Sequence, residues 1–232
     1  MQQRIRWYSI LPFEARDMAR ISAACLRDEF VDGRNWGLQI ESSSKKNVVG
    51  RFIEQHQVTD KVVDPFGKTL EFSRVEFSSL SFRLSADSIN LELYDAPVSL
   101  IGAFLNQLAA YLDFEVSISA PQIDVLKCLK KIGTKTENMT VKSLFLTDLT
   151  LSSSTQAQVI ITGTEDVRSQ VGKIAGNRKY QIHKATFEAK ILERGLKCEI
   201  CSDARANVIR GNDDSVLNLL REAVADSVIG SK

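Results

Sequence analysis

The sequence predicts an α+β fold: mainly antiparallel sheet built from hairpin-then-helix units, with the helices packed on one face. Three observations carry that expectation. Runs of period-two hydrophobicity come in pairs around short polar loops. Each pair is followed, directly or after a short segment, by an apolar stripe at helical spacing. The combination occurs near residues 75–112, 141–176 and 182–228. No side-chain signature recurs beyond the apolar pattern, so this is a shared supersecondary habit and not a sequence repeat.

In chain order, residues 12–30 read as a helix. Pro12 suits a first turn, Met18, Ile21, Cys25 and Leu26 share a face, and Gly33 stops it. Residues 41–47 are a polar loop. The β-branched segment that follows carries Asp64-Pro65-Phe66-Gly67, a turn with strands on both sides. Leu80, Phe82 and Leu84 alternate with polar residues, as do Ile89, Leu91 and Leu93 beyond the loop at 85–88, which makes a hairpin with one buried face. Ile101, Phe104, Leu105, Leu108, Tyr111 and Leu112 form the stripe of an amphipathic helix. Residues 114–118 read as a strand, and 121–133 as a helix with Pro121 near its start and Gly133 as its C-cap.

The polar segment 133–140 suggests a division into an N-terminal α+β half, 1–133, and a C-terminal α+β half, 134–232, within what can also be one continuous domain. Leu149 and Leu151, then Ala157, Val159 and Ile161, make a second hairpin. Thr164 is placed to cap a helix that Gly176 ends. In the third hairpin Phe187, Ala189 and Ile191 face Leu196, Cys198 and Ile200 around a turn near Arg194-Gly195. Pairing Ile191 with Cys198 sets Lys190 opposite Glu199, and that charge match favours it over pairing Ile191 with Leu196. A last helix starts at Asn212 or Asp213 and buries Val216, Leu219, Leu220, Ala223 and Val224.

Composition excludes several classes. The 232 residues suffice for a real core, 44% are hydrophobic and 25% charged. Thirty Lys and Arg against 29 Asp and Glu give a net charge of +1, so no overall field draws a polyanion. No stretch approaches the roughly 20 apolar residues of a membrane helix, and no secretory leader is evident. Four cysteines in a chain of this length do not form a disulfide framework. The expectation is a cytoplasmic protein that meets no membrane.

Cys198 and Cys201 form the one C-x-x-C. A structural zinc site needs four ligands, and Cys25, Cys128, His56 and His183 are single and scattered. Residues three apart on a strand point to opposite faces, so Cys198 is expected inside and Cys201 outside. Neither a metal nor a cofactor is expected. Glu188-Ala189-Lys190 places a carboxylate and an amine on one face, the pair a divalent-metal nuclease uses together with a preceding acid, here Asp166. The plainer reading of the triplet is a solvated sheet face. Phosphate-binding glycine loops, the G-x-S-x-G elbow and H-E-x-x-H are missing from the sequence.

Two basic clusters are candidates for nucleic-acid contact: Lys127, Lys130, Lys131 and Lys135 at a helix end, and Arg178, Lys179 and Lys184 after the next helix. Apart from Tyr180 they lack interleaved aromatics. The leading expectation is a non-catalytic binding or assembly module, a subunit of an oligomer or larger complex, acting through a protein partner or self-association. The alternative is a divalent-metal nuclease using Glu188 and Lys190, and the third reading is a nucleic-acid-binding subunit.

Overall fold

The computed structural model describes residues 2–86, 89–211 and 213–230. Asp87 and Ser88 of the loop at 85–88, and Asn212 as a possible cap, lie outside the described residues. The chain divides into two compact units. One is split in sequence: residues up to Ser9 together with those from Ser119 onward. The other, Ile10–Ile118, is inserted between them.

The elements up to the end of the inserted unit are β1 (Gln3–Leu11), α1 (Ala15–Arg27), β2 (Trp36–Ser43), β3 (Asn47–Val63), β4 (Thr69–Ser85), β5 (Leu91–Tyr94), α2 (Val98–Tyr111) and β6 (Ser117–Ser119). Then come α3 (Val125–Gly133), β7 (Glu137–Ser152), β8 (Thr155–Thr162), α4 (Arg168–Ala175), β9 (Gln181–Ile191), β10 (Arg194–Cys201), β11 (Arg205–Arg210) and α5 (Asp214–Ala225). The fold is mixed, with its strands paired antiparallel, as the alternation predicts. Residues 134–136 lead from α3 into β7 within the split unit.

In the inserted unit, β2, β3, β4 and β5 lie side by side in that order. Phe52, Phe82 and Phe104 form its aromatic centre, with ring centroids 5.5 Å and 4.8 Å apart for the Phe52–Phe104 and Phe82–Phe104 pairs. Such contacts add to plain area burial. Leu80, Phe82 and Leu84 are buried on one side of β4, as the alternation requires, and pair toward Leu93 and Leu91 of β5. The Asp64 turn forms as expected: its carboxylate accepts the amides of Phe66 (2.9 Å) and Lys68 (2.8 Å), and Gly67 supplies a φ of 83°.

Three expectations in this unit need correction. The helix starts at Ala15, not Pro12, with the Glu14 amide donating to the Asp17 carboxylate (2.7 Å), and it ends at Arg27, before Gly33. Its buried face is Met18, Ile21, Ala24 and Cys25, while Leu26 is exposed, because the next residue after Cys25 turns about 100° away. The polar loop at 41–47 shrinks to a tight turn: β2 reaches Ser43, and Ser44 Oγ accepts the amides of Lys46 and Asn47.

In the split unit the order is β1-β11-β10-β9-β7-β8. One cross-strand row, Val141–Phe187–Cys198–Val208, is fully buried. α3 packs against α5 and β9, and α4 against β7. The third hairpin is not followed directly by its helix: β11 adds a third strand before α5.

The β9–β10 register also differs from expectation. Ile191 pairs with Arg194 and Cys198 with Phe187, so Lys197 faces Glu188 and Lys190 faces Gly195. The two-residue turn is Leu192-Glu193, both with positive φ (47° and 67°), as a primed hairpin turn needs. Its register seats Leu196 on Ala189, Cys198 on Phe187 and Ile200 on Ala185, three apolar pairs at once. That gain outweighs the use of two non-glycine residues in the left-handed region.

Caps also shift. Thr164 does not cap α4. The Asp166 carboxylate accepts the Arg168 amide (3.0 Å) at that helix start. Gly133 is the last residue of α3, and Thr134 takes the C-cap position. Asp213 caps α5 as expected, accepting the Val216 amide at 3.1 Å.

Hydrogen bonds from the Ser215 hydroxyl and the Val216 amide hold the Asp213 carboxyl below its ordinary pKa. A folded-state pKa below the unfolded one stabilises fully above the unfolded value, about 3.9, and that stabilisation is lost as pH falls through the folded value. Asp213→Ala is expected to lower the unfolding free energy by about 1 kcal/mol at pH 7 in a urea titration. Asp213→Asn, which keeps a capping oxygen, is expected to lose less, and its difference from wild type narrows below about pH 4. A difference that widens on acidification contradicts this account.

Candidate functional site

Strand alternation sorts the split unit's side chains into two sets. Ile5, Trp7, Ala206, Val208, Leu196, Cys198, Ile200, Ala185, Phe187, Ala189, Val141 and Leu144 are buried on one face. The residues between them occupy the other face, and the register aligns them into rows. One row runs Arg6–Arg205–Cys201–Lys184–Phe145–Ile160 across six strands. The next runs Arg4–Asn207–Glu199–Thr186–Ser143–Thr162. Further along, Lys197, Glu188 and Thr140 align.

Two hollows lie on this open face among the described residues. The larger, of about 360 Å³, is lined by four cations (Arg4, Arg6, Lys184 and Arg205) against one carboxylate, Glu199. Phe145 and His183 close one side of it. The smaller, of about 300 Å³, is lined by Lys142, Lys190, Lys197 and Arg210 against Glu188. Cys201 and Lys197 mark the two rows and are four residues apart on β10, about 13 Å at about 3.3 Å per residue. The net charge of +1 therefore conceals a local excess of positive charge.

Within the larger hollow, Arg6 stands directly opposite Arg205. Like charges so placed repel. Asp203 offsets part of this through a 2.6 Å contact with Arg205, and that hydrogen bond raises the guanidinium pKa further. Arg205 Nε is buried without a hydrogen-bond partner among the described residues, a donor with unused capacity in a side chain that lines the hollow. Lys184 meets Glu199 at 3.1 Å. His183 sits where the β7–β9 register shifts. Its Nδ1 and Ser202 Oγ are 3.0 Å apart, and its ring meets Phe145 edge-on with centroids 5.7 Å apart.

Asp166, Glu188 and Lys190 each take different neighbours. Glu188 pairs with Lys197 at 3.0 Å. Lys190 lies opposite Gly195 and Glu137, so the expected Lys190–Glu199 pair is absent. Asp166 is held by Arg168 (2.8 Å) and by the Val141 amide (3.2 Å). Burial works to raise its carboxyl pKa, but those hydrogen bonds win and leave it below the ordinary value. Among the described residues, no three His, Cys, Asp or Glu side chains are grouped to hold a metal ion.

The two predicted basic clusters part company. Lys131 binds Asp226 (2.5 Å) and Lys135 binds Glu222, so α5 neutralises half of the first cluster, while Lys127 and Lys130 stay exposed. Arg178 and Lys179 line a separate hollow with Tyr180 and Asp148. Lys184 alone belongs to the cationic row. Arg4, Arg6, Lys142, Lys197, Arg205 and Arg210 were invisible to a search for charge runs. Their signal is alternation: R-I-R-W at 4–7 and R-A-N-V at 205–208.

All four cysteines are reduced and buried. Cys201 lies on the open face as parity requires, yet it is covered there, against the expectation that it is outside. Burial raises its thiol to about 11 and those of Cys25 and Cys128 to about 12, and it pushes Cys198 up as well. No helix among the described residues is long and apolar enough to cross a membrane. Neither a protein-family model nor a curated protein matches the chain.

Thiolate is the reactive form. A thiol reagent at pH 8 is therefore expected to label none of the four cysteines in the native protein on a minutes timescale, and all four in denaturant. Rapid native labelling of Cys201 contradicts its burial beneath the cationic row.

Proposed function

We propose that the protein is a non-catalytic binding module whose ligand is a single-stranded nucleic acid, held along the open face of the split unit. The observation that carries this reading is the alignment of Arg6, Arg205 and Lys184 in one row beside Phe145. Single-strand binders combine a cationic track for phosphates with aromatic faces for bases, and an open antiparallel sheet is one platform that offers both. In this reading the helices gather behind the apolar face and leave the cationic one bare. The second hollow, about 13 Å along the strands, extends the track beyond one phosphate and favours a chain of repeated charges over a free anion. Lys142, Lys190, Lys197 and Arg210 continue it.

Anisotropy titrations of a labelled 12-mer oligo(dT) and oligo(U), with a duplex of equal length as control, test this. Binding is expected to weaken with salt, with a log–log slope near −0.7 per phosphate neutralised, and Arg6→Ala and Lys184→Ala each reduce that slope by about 0.7. Phe145→Ala is expected to weaken binding about fivefold, equivalent to about 1 kcal/mol. Absent binding, salt-independent binding, or affinity unchanged in the Arg6→Ala/Lys184→Ala double variant overturns the proposal. Cleavage of the oligonucleotide in Mg²⁺ that Glu188→Ala abolishes overturns its non-catalytic part.

A further inference from the structure

The β3–β4 hairpin is longer than the sheet that supports it. Its pairing runs unbroken from Asn47↔Ser85 to Val63↔Thr69, with no register shift. On the outer side of β3, β2 covers only Val48–Glu54, and the Asn35 carbonyl accepts the Gln55 amide. On the outer side of β4, β5 covers only Ser81–Leu84. Beyond those points the hairpin is a two-stranded ribbon. Among the described residues, its outer β4 edge from Thr69 to Leu80 has no strand partner.

A two-stranded ribbon is at best marginally stable in water, and bare edges are usually blunted by proline, bulges or lysine. The β4 edge has none of these between Thr69 and Leu80. It presents large apolar side chains instead: Phe72 is 56% exposed, Val75 50% and Phe77 61%. Its charges are already matched within the ribbon, Arg74 to Asp60 at 2.6 Å and to Glu76, and Lys61 to Glu71 at 2.7 Å. A highly charged partner therefore has little to gain here.

We infer that the occupant is a second copy of this chain, whose β4 pairs antiparallel with this β4 across a two-fold axis at Val75. Charge and apolar contact together favour one register. For side chains on one sheet face to meet, paired residue numbers must have an even sum. Centring on Val75 sets Arg74 opposite Glu76 of the second copy, twice by symmetry, and Val75 opposite Val75 of the second copy. Sliding by one centre either way puts Arg74 against Arg74 or Glu76 against Glu76, and like charges directly opposite are destabilising. The chosen register also gathers Val75 and Phe77 of both copies on one face, as direct and diagonal neighbours. Phe30 already stands edge-on to Phe77, with centroids 6.1 Å apart, and extends that cluster. The product is a four-stranded sheet, β3-β4-β4-β3, with an isologous interface that closes on itself.

Sedimentation equilibrium or light scattering on the full chain at micromolar concentration tests the assignment. Wild type is expected to be a dimer. Val75→Lys, which places two ammonium groups on the axis at an exposed position, is expected to give a monomer with unchanged circular dichroism. The register has its own test. Arg74→Glu and Glu76→Arg each place like charges in both cross-copy pairs and are expected to weaken the dimer at least tenfold. Mixing the two variants restores opposite charges in both pairs and is expected to recover it as a heterodimer. A monomeric wild type, a dimer that survives Val75→Lys, or a mixture no tighter than its components overturns the inference.

Discussion

The buried row Val141–Phe187–Cys198–Val208 is the constraint on which the split unit depends. It joins four strands at one level and fixes which residues of each face inward. Side chains alternate with a period of two, so a slip of one residue in any strand would send its apolar set to water and its charged set into the core. The row of Arg6, Arg205 and Lys184 is the complement of that burial. The chain does not place those cations by attracting them to one another, since Arg6 and Arg205 repel. The core places them, and Asp203 and Glu199 reduce the strain.

Much of the architecture was legible in the sequence because alternation and helical spacing are local. The Asp64 turn, the hairpin through Phe82 and Leu93, α2 and α5 follow from residues close in the chain. The β9–β10 register did not, and the reason is specific. Glycine suggested a turn at Arg194-Gly195, and a charge match suggested Lys190 against Glu199. The observed register makes three apolar pairs with Leu192 and Glu193 in the left-handed region, and the charges find other partners, Lys197 with Glu188 and Lys184 with Glu199. Surface ion pairs contribute little, so they are weak guides to register when a core is at stake.

The candidate site was harder to read for a different reason. Lys127–Lys135 form a visible charge run, yet Lys131 and Lys135 are neutralised by Asp226 and Glu222 at the end of α5, roughly 90 residues away in sequence. The cationic face is assembled from singly spaced residues on β1, β7, β9, β10 and β11, each looking like ordinary solvent-facing alternation. Only strand order turns them into a row. The C-x-x-C, the most chemical-looking motif, reduces to two buried thiols on opposite faces of β10. The same logic governs the hairpin arm, where each residue is unremarkable and the open edge is a property of the strands that stop short of it.

The division of the chain has a consequence for the order of events during synthesis. β1 emerges well ahead of one of its partners, β11, which follows some 200 residues later, the pairing being Gln3 with Val208 through Arg6 with Arg205. The inserted unit can complete its own sheet meanwhile, because its strands pair with near neighbours in sequence. The β1–β11 pairing forms only after β11 has left the ribosome. Long-range closure of this kind is slow. The cationic row, which needs Arg6 and Arg205 from strands about 200 residues apart, therefore forms only once β11 is in place.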